Sequence, residues 1–103
     1  MIIVLATVES TTEDINNLHQ AIVDMQTATI ETEPGNIAYT FTTEVANPGT
    51  MRIVEQWQSM DALKEHFVTP HMAAFQKAMA GYPPKSMDVK VYEVAQELHF
   101  PAM

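Results

Sequence analysis

The sequence predicts an α+β fold, with one four-stranded antiparallel sheet and helices that pack on one of its faces. Three observations support this. Residues 2–8 are almost continuously apolar, as in a buried strand. In the segments near 37–42 and 51–57, apolar and polar side chains alternate with a period of two, as in strands. Before and after these two segments, apolar side chains recur every three or four residues, as in helices. The order is therefore β-α-β-β-α-β, which right-handed crossovers convert into a ferredoxin-like arrangement. At 103 residues the chain forms one domain, 1–103, with a tail at about 96–103.

The first strand and the first helix have the clearest patterns. Residues 2–8 are rich in β-branched side chains, as expected of a strand covered on both faces. Hydroxyl side chains at 10–12 offer N-caps for a long amphipathic helix. Its inward positions recur at spacings of three and four: Ile15, Leu18, Ile22, Met25 and Thr29. The helix is expected to end near Glu33-Pro34-Gly35, because proline disfavours helix in the residue before it.

The next two segments predict a hairpin of two strands. Apolar side chains alternate with small or polar ones at Ile37, Tyr39 and Phe41. A turn is expected at Asn47-Pro48-Gly49. The third strand then places four side chains on one face: Met51, Ile53, Glu55 and Trp57.

The second helical region is expected to contain a break. It opens at Ser59-Met60-Asp61-Ala62 and is interrupted at Thr69-Pro70, where a new helix begins with proline in its first turn. The final strand covers about 86–94. The tail that follows carries apolar Leu98 and Phe100.

Composition and charge exclude several classes of function. No run approaches the about 18 apolar residues of a membrane span, and the first residues lack the basic segment of a signal peptide, so a soluble cytoplasmic protein is expected. The formal charge of −8 argues against nucleic acid and anionic membranes as partners, because Lys and Arg dominate such binding. The absence of cysteine excludes disulfides and thiolate catalysis.

The sheet also predicts the oligomeric state. Helices cover only one face, and the other would leave Ile, Val and Ala side chains as a large apolar patch on a monomer. A second copy of the chain is expected to cover that face, which makes the protein a homodimer.

Two turns and one longer stretch carry the most specific pattern in the chain. They are Glu33-Pro34-Gly35-Asn36-Ile37-Ala38-Tyr39, Asn47-Pro48-Gly49, and the run Glu55-Gln56-Trp57-Gln58-Ser59-Met60-Asp61-Ala62-Leu63-Lys64-Glu65-His66 with Thr69-Pro70-His71-Met72. This pattern resembles the antibiotic biosynthesis monooxygenase family, whose members are dimeric α+β barrel proteins. The chain departs from it at Asn36, where the family usually has cysteine or another small residue.

The resemblance implies a cofactor-independent and metal-free monooxygenase that acts on an aromatic, phenolic or quinol-like small molecule. Two alternatives remain open: an isomerase or other proton-transfer enzyme of the same family, and a non-catalytic dimer that binds small molecules. The haem-degrading members resemble this chain least, because they use an asparagine in the first strand where this chain offers Ala6, Thr7 and Val8.

A monooxygenase without a cofactor must deprotonate its substrate in a dry pocket, and a histidine suits this role. We therefore take His66, His71 and Trp57 as candidate catalytic residues, with His66 as the first choice of base. The alternatives are histidines that hydrogen-bond to the backbone at the helix break and a tryptophan that packs in the core. The spacing of the two histidines is poor for a metal on a regular helix.

The remaining candidates are expected to bind the substrate. Glu55 is a carboxyl group on a largely buried strand, where a salt bridge to Arg52 or to a lysine of the partner subunit is the alternative. A hydroxyl at Tyr39 is placed to orient a substrate oxygen. The apolar contacts are expected from three side chains of the helices: Phe67, Met72 and Phe75.

Overall fold

The computed structural model describes residues 1–101 and confirms the predicted fold class and order of elements. The elements are β1 (Ile2–Glu9), α1 (Thr12–Thr32), β2 (Asn36–Thr43), β3 (Thr50–Trp57), α2 (Met60–His66), α3 (Pro70–Ala80) and β4 (Ser86–Glu93). The second helical region is divided in two at the predicted break. Residues 102 and 103 of the predicted tail lie outside the described residues.

The four strands form one antiparallel sheet in the order β2-β3-β1-β4. Val4 of β1 lies opposite Glu55 of β3 on one side and Val91 of β4 on the other. The even-numbered side chains of β1 are buried toward the helices, and the odd-numbered ones point to the opposite face. The sheet therefore has a helix-facing side and an outer side.

Helix α1 has the cap and the inward stripe that its sequence predicts. The hydroxyl of Thr11 accepts a hydrogen bond from the backbone N–H of Asp14 at 3.1 Å. The buried side chains are Leu18, Ile22, Met25 and Thr29. The helix is capped at its C-terminal end by Glu33, whose N–H donates to the carbonyl of Thr29. The side chain of Glu33 consequently lies beside the start of α3.

The break between α2 and α3 is held by one hydroxyl group. Thr69 donates to the carbonyl oxygen of His66 at 2.7 Å and accepts from the N–H of Met72 at 3.3 Å. One side chain thus ties the last residue of α2 to the first turn of α3. The relative positions of His66 and His71 are fixed by this connection.

Gly35 is required by a close approach between the turn after α1 and helix α2. A Cβ atom at Gly35 would lie 2.4 Å from the Cβ of Ala62, which is far inside van der Waals contact. The carbonyl oxygen of Gly35 also accepts a hydrogen bond from the N–H of Gln58 at 2.9 Å. This contact positions the end of α1 against α2.

The helices leave part of the sheet uncovered on both sides. On the helix-facing side of β4, the exposed side chains are Met87, Val89 and Val91. On the outer side, Leu5 and Val54 are neighbours in the β1–β3 register and remain 43% and 38% exposed. Within residues 1–101, none of the helices combines the length and the apolar character that crossing a membrane requires.

Candidate functional site

An apolar cavity of about 260 Å³ lies between the helix-facing side of the sheet and helices α2 and α3. Its wall combines three strands and two helices. The lining residues are Val4, Ala6, Val8, Met51, Ile53, Glu55, Leu63, Phe67, Phe75, Gln76, Met79, Met87, Val89 and Val91. Nearly all are apolar, so the cavity suits a flat hydrophobic ligand.

Glu55 is the one ionisable side chain among the residues described around this cavity. It is 8% exposed, and its Oε1 accepts a hydrogen bond of 3.0 Å from the indole N–H of Trp57. Burial raises the pKa of Glu55, the Trp57 hydrogen bond lowers it in part, and the negative charge of Glu33 raises it further. Arg52 points away from Glu55 and donates to Glu44 at 2.6 Å, so the salt bridge considered from the sequence is absent among the described residues.

His66 lies behind the cavity and is completely buried. Its Nδ1 is 2.8 Å from Oε2 of Glu33, and its Nε2 is 3.4 Å from the hydroxyl of Tyr39. A carboxylate only accepts hydrogen bonds, so Nδ1 donates to Glu33, and in the neutral tautomer with the proton on Nδ1 the Nε2 atom accepts from the hydroxyl of Tyr39. The ring also packs against Trp57, with centroids 4.8 Å apart. Both nitrogen atoms of His66 are therefore engaged.

Tyr39 completes this hydrogen-bonded cluster. Its side chain is buried, and burial is the main reason that its pKa is raised far above the ordinary value for tyrosine. The negative charges of Glu55 and Glu33 raise the pKa further. Tyr39 is consequently a neutral hydrogen-bond donor to His66.

His71 lies at a second, more polar pocket. Its Nε2 is 2.6 Å from Oε2 of Glu33, the same oxygen atom that contacts His66. The pocket has a volume of about 310 Å³. Its lining residues are Thr32, Glu33, Pro34, Gly35, Trp57, Ala62, Glu65, Thr69, Pro70 and His71. The donor atoms of Glu33, His66 and His71 all lie within 4.8 Å of one another, so these side chains are also candidate metal ligands.

The structure divides the residues predicted from the sequence into three groups. The first group lines the apolar cavity: Glu55, Phe67 and Phe75. The second lies behind the wall: Tyr39, Trp57 and His66. The third consists of Met72, which packs against the core, and His71, which lines the polar pocket.

Sequence reasoning missed the role of Glu33. It was recognised only as part of the turn that ends α1, yet its carboxylate joins both histidines of the helix break. The sequence offers one indication of this role: an acidic side chain stands directly before Pro-Gly at the end of α1. The fold places that end of α1 next to the break between α2 and α3. This indication is weak, because acidic residues at turns are usually solvated.

Comparison with known proteins identifies the family. Residues 1–78 match the model of the antibiotic biosynthesis monooxygenase family. An uncharacterized protein of Synechocystis sp. is 30% identical over 64 residues, which cover 62% of this chain and 44% of that protein. The chain thus spans less than half the length of this curated relative.

Solved structures share the fold over nearly the whole chain. A protein from Deinococcus radiodurans, provisionally assigned as an antibiotic biosynthesis monooxygenase, has a TM-score of 0.87 at 22% identity and covers 99% of this chain and 100% of its own. A protein from Caulobacter crescentus with the same provisional assignment has a TM-score of 0.86 at 24% identity and covers 92% and 90%. With the match of the family model, the chain belongs to the antibiotic biosynthesis monooxygenase family.

Proposed function

We propose that this protein is a cofactor-independent monooxygenase of an uncharged aromatic compound that carries a phenol or quinol hydroxyl. One observation supports this above all: the apolar cavity has a single carboxyl group, Glu55, in its wall. A flat aromatic body fits the apolar lining, and an acidic hydroxyl fits the carboxylate. The cavity has no Lys or Arg among the described lining residues, which disfavours phosphorylated or carboxylated substrates.

Glu55 accepts the proton of the substrate hydroxyl in this proposal. Burial raises the pKa of Glu55, and a carboxylate with a raised pKa is a stronger base toward a phenol. Trp57 holds the carboxylate in place through its indole N–H. The apolar lining offers water few hydrogen-bond partners, so a bound aromatic ring displaces water from the surroundings of the carboxylate.

The substrate anion then supplies the electrons for the reaction with O₂. A carbon–oxygen bond forms at a ring carbon ortho or para to the hydroxyl, and that carbon loses its hydrogen and keeps one oxygen atom as a carbonyl, so that the product is a quinone. The second oxygen atom leaves as water, which takes up that hydrogen and the hydroxyl proton that Glu55 had accepted. The substrate provides all four electrons that reduce O₂, so the step needs no external reductant.

His66 and Trp57 remain part of the proposed machinery. We assign proton acceptance to Glu55 and not to His66, because both nitrogen atoms of His66 are hydrogen-bonded away from the cavity. His66 acts as a positioning residue that packs against Trp57 and bonds to Tyr39. His71 lies one step farther away and fixes the carboxylate of Glu33.

A homodimer belongs to the same proposal. The outer side of the sheet has apolar side chains without helix cover, including Leu5 and Val54. A second copy that packs this side against its own buries both patches and gives the dimeric barrel expected of the family. Tail residues Leu98 and Phe100, which are 75% and 80% exposed, are available to extend across that partner.

Oxygen uptake tests the proposed activity. Protein treated with a chelator is incubated with naphthols, anthrones and hydroquinones in an oxygen-electrode cell, and the products are quantified. We expect one O₂ consumed per product, and loss of about 100-fold or more in kcat for Glu55→Gln. Glu31→Gln, at an exposed position of α1, is the matched control and is expected to keep full activity.

Three outcomes would contradict the proposal. Uptake that survives Glu55→Gln would remove Glu55 as the base. Uptake restored only by added metal would refute independence from a cofactor. Turnover in the absence of O₂ would identify the isomerase alternative, which uses the same carboxylate for proton transfer.

A further inference from the structure

Beside the polar pocket lies a set of side chains that the oxygenase proposal uses only for positioning, without contact to the substrate. Glu33, His66 and His71 come from the end of α1, the end of α2 and the start of α3. Oε2 of Glu33 is 2.8 Å from Nδ1 of His66 and 2.6 Å from Nε2 of His71. The side chains of two histidines and one glutamate thus meet at the ends of three helices. This arrangement depends on the fold, because the spacing of the residues along the chain would not bring them together.

We propose that Glu33, His66 and His71 bind a divalent transition metal ion, with Zn²⁺ or Co²⁺ as the best-suited ions. Two histidines and one carboxylate form a donor set typical of zinc sites that keep an open coordination position. The same set also suits other first-row divalent ions, whereas Ca²⁺ and Mg²⁺ prefer oxygen ligands.

The metal replaces two protons of the hydrogen-bonded cluster. In the metal-free state, the facing N–H groups of the two histidines donate to the carboxylate of Glu33. When those nitrogen atoms lose their protons, their lone pairs point at the same region as the carboxylate oxygen. Ligand atoms around Zn²⁺ stand about 3.3 Å apart at bond lengths of about 2.0–2.2 Å, so the Glu33 side chain must withdraw by several tenths of an ångström. The facing nitrogen atoms of the two histidines, which lie within 4.8 Å of each other, must come to the same spacing. Its position at the helix C-cap, beside the pocket, permits this movement.

The surroundings hold two of the ligands in place. The hydroxyl of Tyr39 lies 3.4 Å from Nε2 of His66, so its oxygen can accept a hydrogen bond from the Nε2–H group that forms when Nδ1 binds metal. Thr69 bonds to the carbonyl of His66 and to the N–H of Met72, which holds the end of α2 and the start of α3, and so the two histidine backbones, next to each other. A preorganised pair of ligands reduces the entropy that binding must overcome.

One side of the cluster faces the polar pocket of about 310 Å³. The side chains of Glu33 and His71 are 11% and 17% exposed there, while His66 is fully buried. A metal ion can therefore enter from the pocket and keep a coordination position for water or another small ligand. Three protein ligands with one open position distinguish this site from a closed structural zinc site.

The inference shares positioning residues with the oxygenase proposal, but the two can be tested separately. The carboxylate of the apolar cavity is Glu55, and it contributes no donor atom to this cluster. Metal binding is measured directly, and oxygen uptake is measured in the presence of a chelator. Either proposal can therefore fail while the other stands.

Titration of the untagged full chain with Co²⁺ and with Zn²⁺ tests the site. We expect one ion per chain, visible ligand-field bands of bound Co²⁺, and displacement of Co²⁺ by Zn²⁺. His71→Ala and Glu33→Gln are expected to weaken binding by about 100-fold or more, and Tyr39→Phe by about tenfold. His19→Ala is the matched control, because His19 is exposed on α1 and lies outside the cluster, and it is expected to bind normally.

Nitrogen-15 NMR of the imidazole rings provides a second readout. Zn²⁺ is expected to move the ring proton of His66 from Nδ1 to Nε2, which the long-range proton–nitrogen correlations report. Absence of saturable binding below about 0.1 mM Co²⁺ would overturn the proposal. Binding that His71→Ala leaves unchanged, or an unchanged His66 tautomer in the presence of saturating Zn²⁺, would overturn it as well.

Discussion

The indole N–H of Trp57 donates a hydrogen bond of 3.0 Å to Oε1 of Glu55, two residues earlier on the same face of β3. This bond connects the wall of the apolar cavity with the aromatic cluster behind it, because the Trp57 ring also packs against His66. The carboxylate of Glu55 is thus hydrogen-bonded by a side chain that does not line the apolar cavity. The pKa of Glu55 reflects a balance between burial, which raises it, and this bond, which lowers it.

Substitution of Trp57 by Phe is expected to shift the pH dependence of the proposed reaction. Loss of the N–H removes the interaction that lowers the pKa of Glu55, so the pKa rises and more of the carboxyl is protonated at a given pH. The acidic limb of kcat/KM should move to higher pH. Measurement of kcat/KM across the pH range checks this, with circular dichroism as the control for folding. A limb that stays in place or moves to lower pH would show that the bond does not tune Glu55.

Glu55→Gln is expected to change how stability depends on pH. Because the folded-state pKa lies above the ordinary value of 4.5, folding retains a proton that the unfolded chain releases. Below about pH 4.5, Glu55 is protonated in both the folded and the unfolded chain and does not lower the stability of the fold. As the pH rises through the folded-state pKa, the buried carboxyl loses its proton and the free energy of unfolding falls. Glu55→Gln cannot lose a proton, so at neutral pH the variant should be more stable than the parent protein, by about 1.4 kcal/mol for each unit by which folding raises the pKa of Glu55.

Urea unfolding of both proteins at a series of pH values, from below the ordinary carboxyl pKa of 4.5 up to neutral pH, measures this difference. Glu31→Gln is the control, since its exposed carboxyl lacks the burial of Glu55. A stability difference between Glu55→Gln and the parent protein that does not change with pH would contradict the predicted linkage.

Gly35→Ala is expected to destabilise the fold by about 1–3 kcal/mol, because the new Cβ would lie 2.4 Å from the Cβ of Ala62. Gly81→Ala is the control, since a Cβ there is 3.4 Å from the nearest atom outside its chain neighbours. Adding Ala62→Gly should recover part of the loss in a double-mutant cycle. Urea unfolding gives the free energies, and strictly additive effects of the two substitutions would exclude the proposed clash.

Leu5→Lys is expected to convert the proposed dimer into a monomer at micromolar concentration. Leu5 lies between Val54 and Lys90 on the outer side of the sheet, so a new ammonium group there would be buried at the proposed interface next to the ammonium group of Lys90. Sedimentation velocity measures the change. Val45→Lys, at a fully exposed loop position, should leave the dimer intact. A monomeric parent protein, or a Leu5→Lys dimer of unchanged affinity, would contradict the proposed interface.

The strands and helices could be predicted because their patterns are local. Alternation along β3 places Glu55 and Trp57 on one face of the sheet. Because that face is buried, pairing with β1 must place the buried side chains of both strands on the same side, which restricts the register. The break at Thr69-Pro70 follows equally from proline chemistry, and the structure begins α3 at Pro70. Local chemistry thus accounts for the whole order of elements.

The site could be predicted only in part, since its decisive contacts join distant elements. The contact between Glu33 and His66 spans 33 residues and depends on how α1 ends against α2. The hydrogen-bond partners of the two His66 ring nitrogens are Glu33 and Tyr39, which come from other elements of the fold. The periodicity of the sequence does not reveal these contacts. The apolar cavity is open along β4, where the helices do not cover the sheet. The extent of this opening depends on where α3 lies on the sheet, which the length of α3 alone does not determine.

The pairing of β1 with β4 brings the beginning of the fold next to its end. The N–H of Val94 donates to the carbonyl oxygen of Met1 at 3.0 Å, at one rim of the sheet. A short peptide linker between these two points would close the chain into a ring, and cutting the hairpin turn at Asn47-Pro48-Gly49 would reopen it. The fold therefore admits circular permutation. Polypeptide attached before β1 and polypeptide attached after β4 leave the domain at the same rim of the sheet. The domain can therefore be inserted into a surface loop of a host protein without moving the two ends of that loop apart.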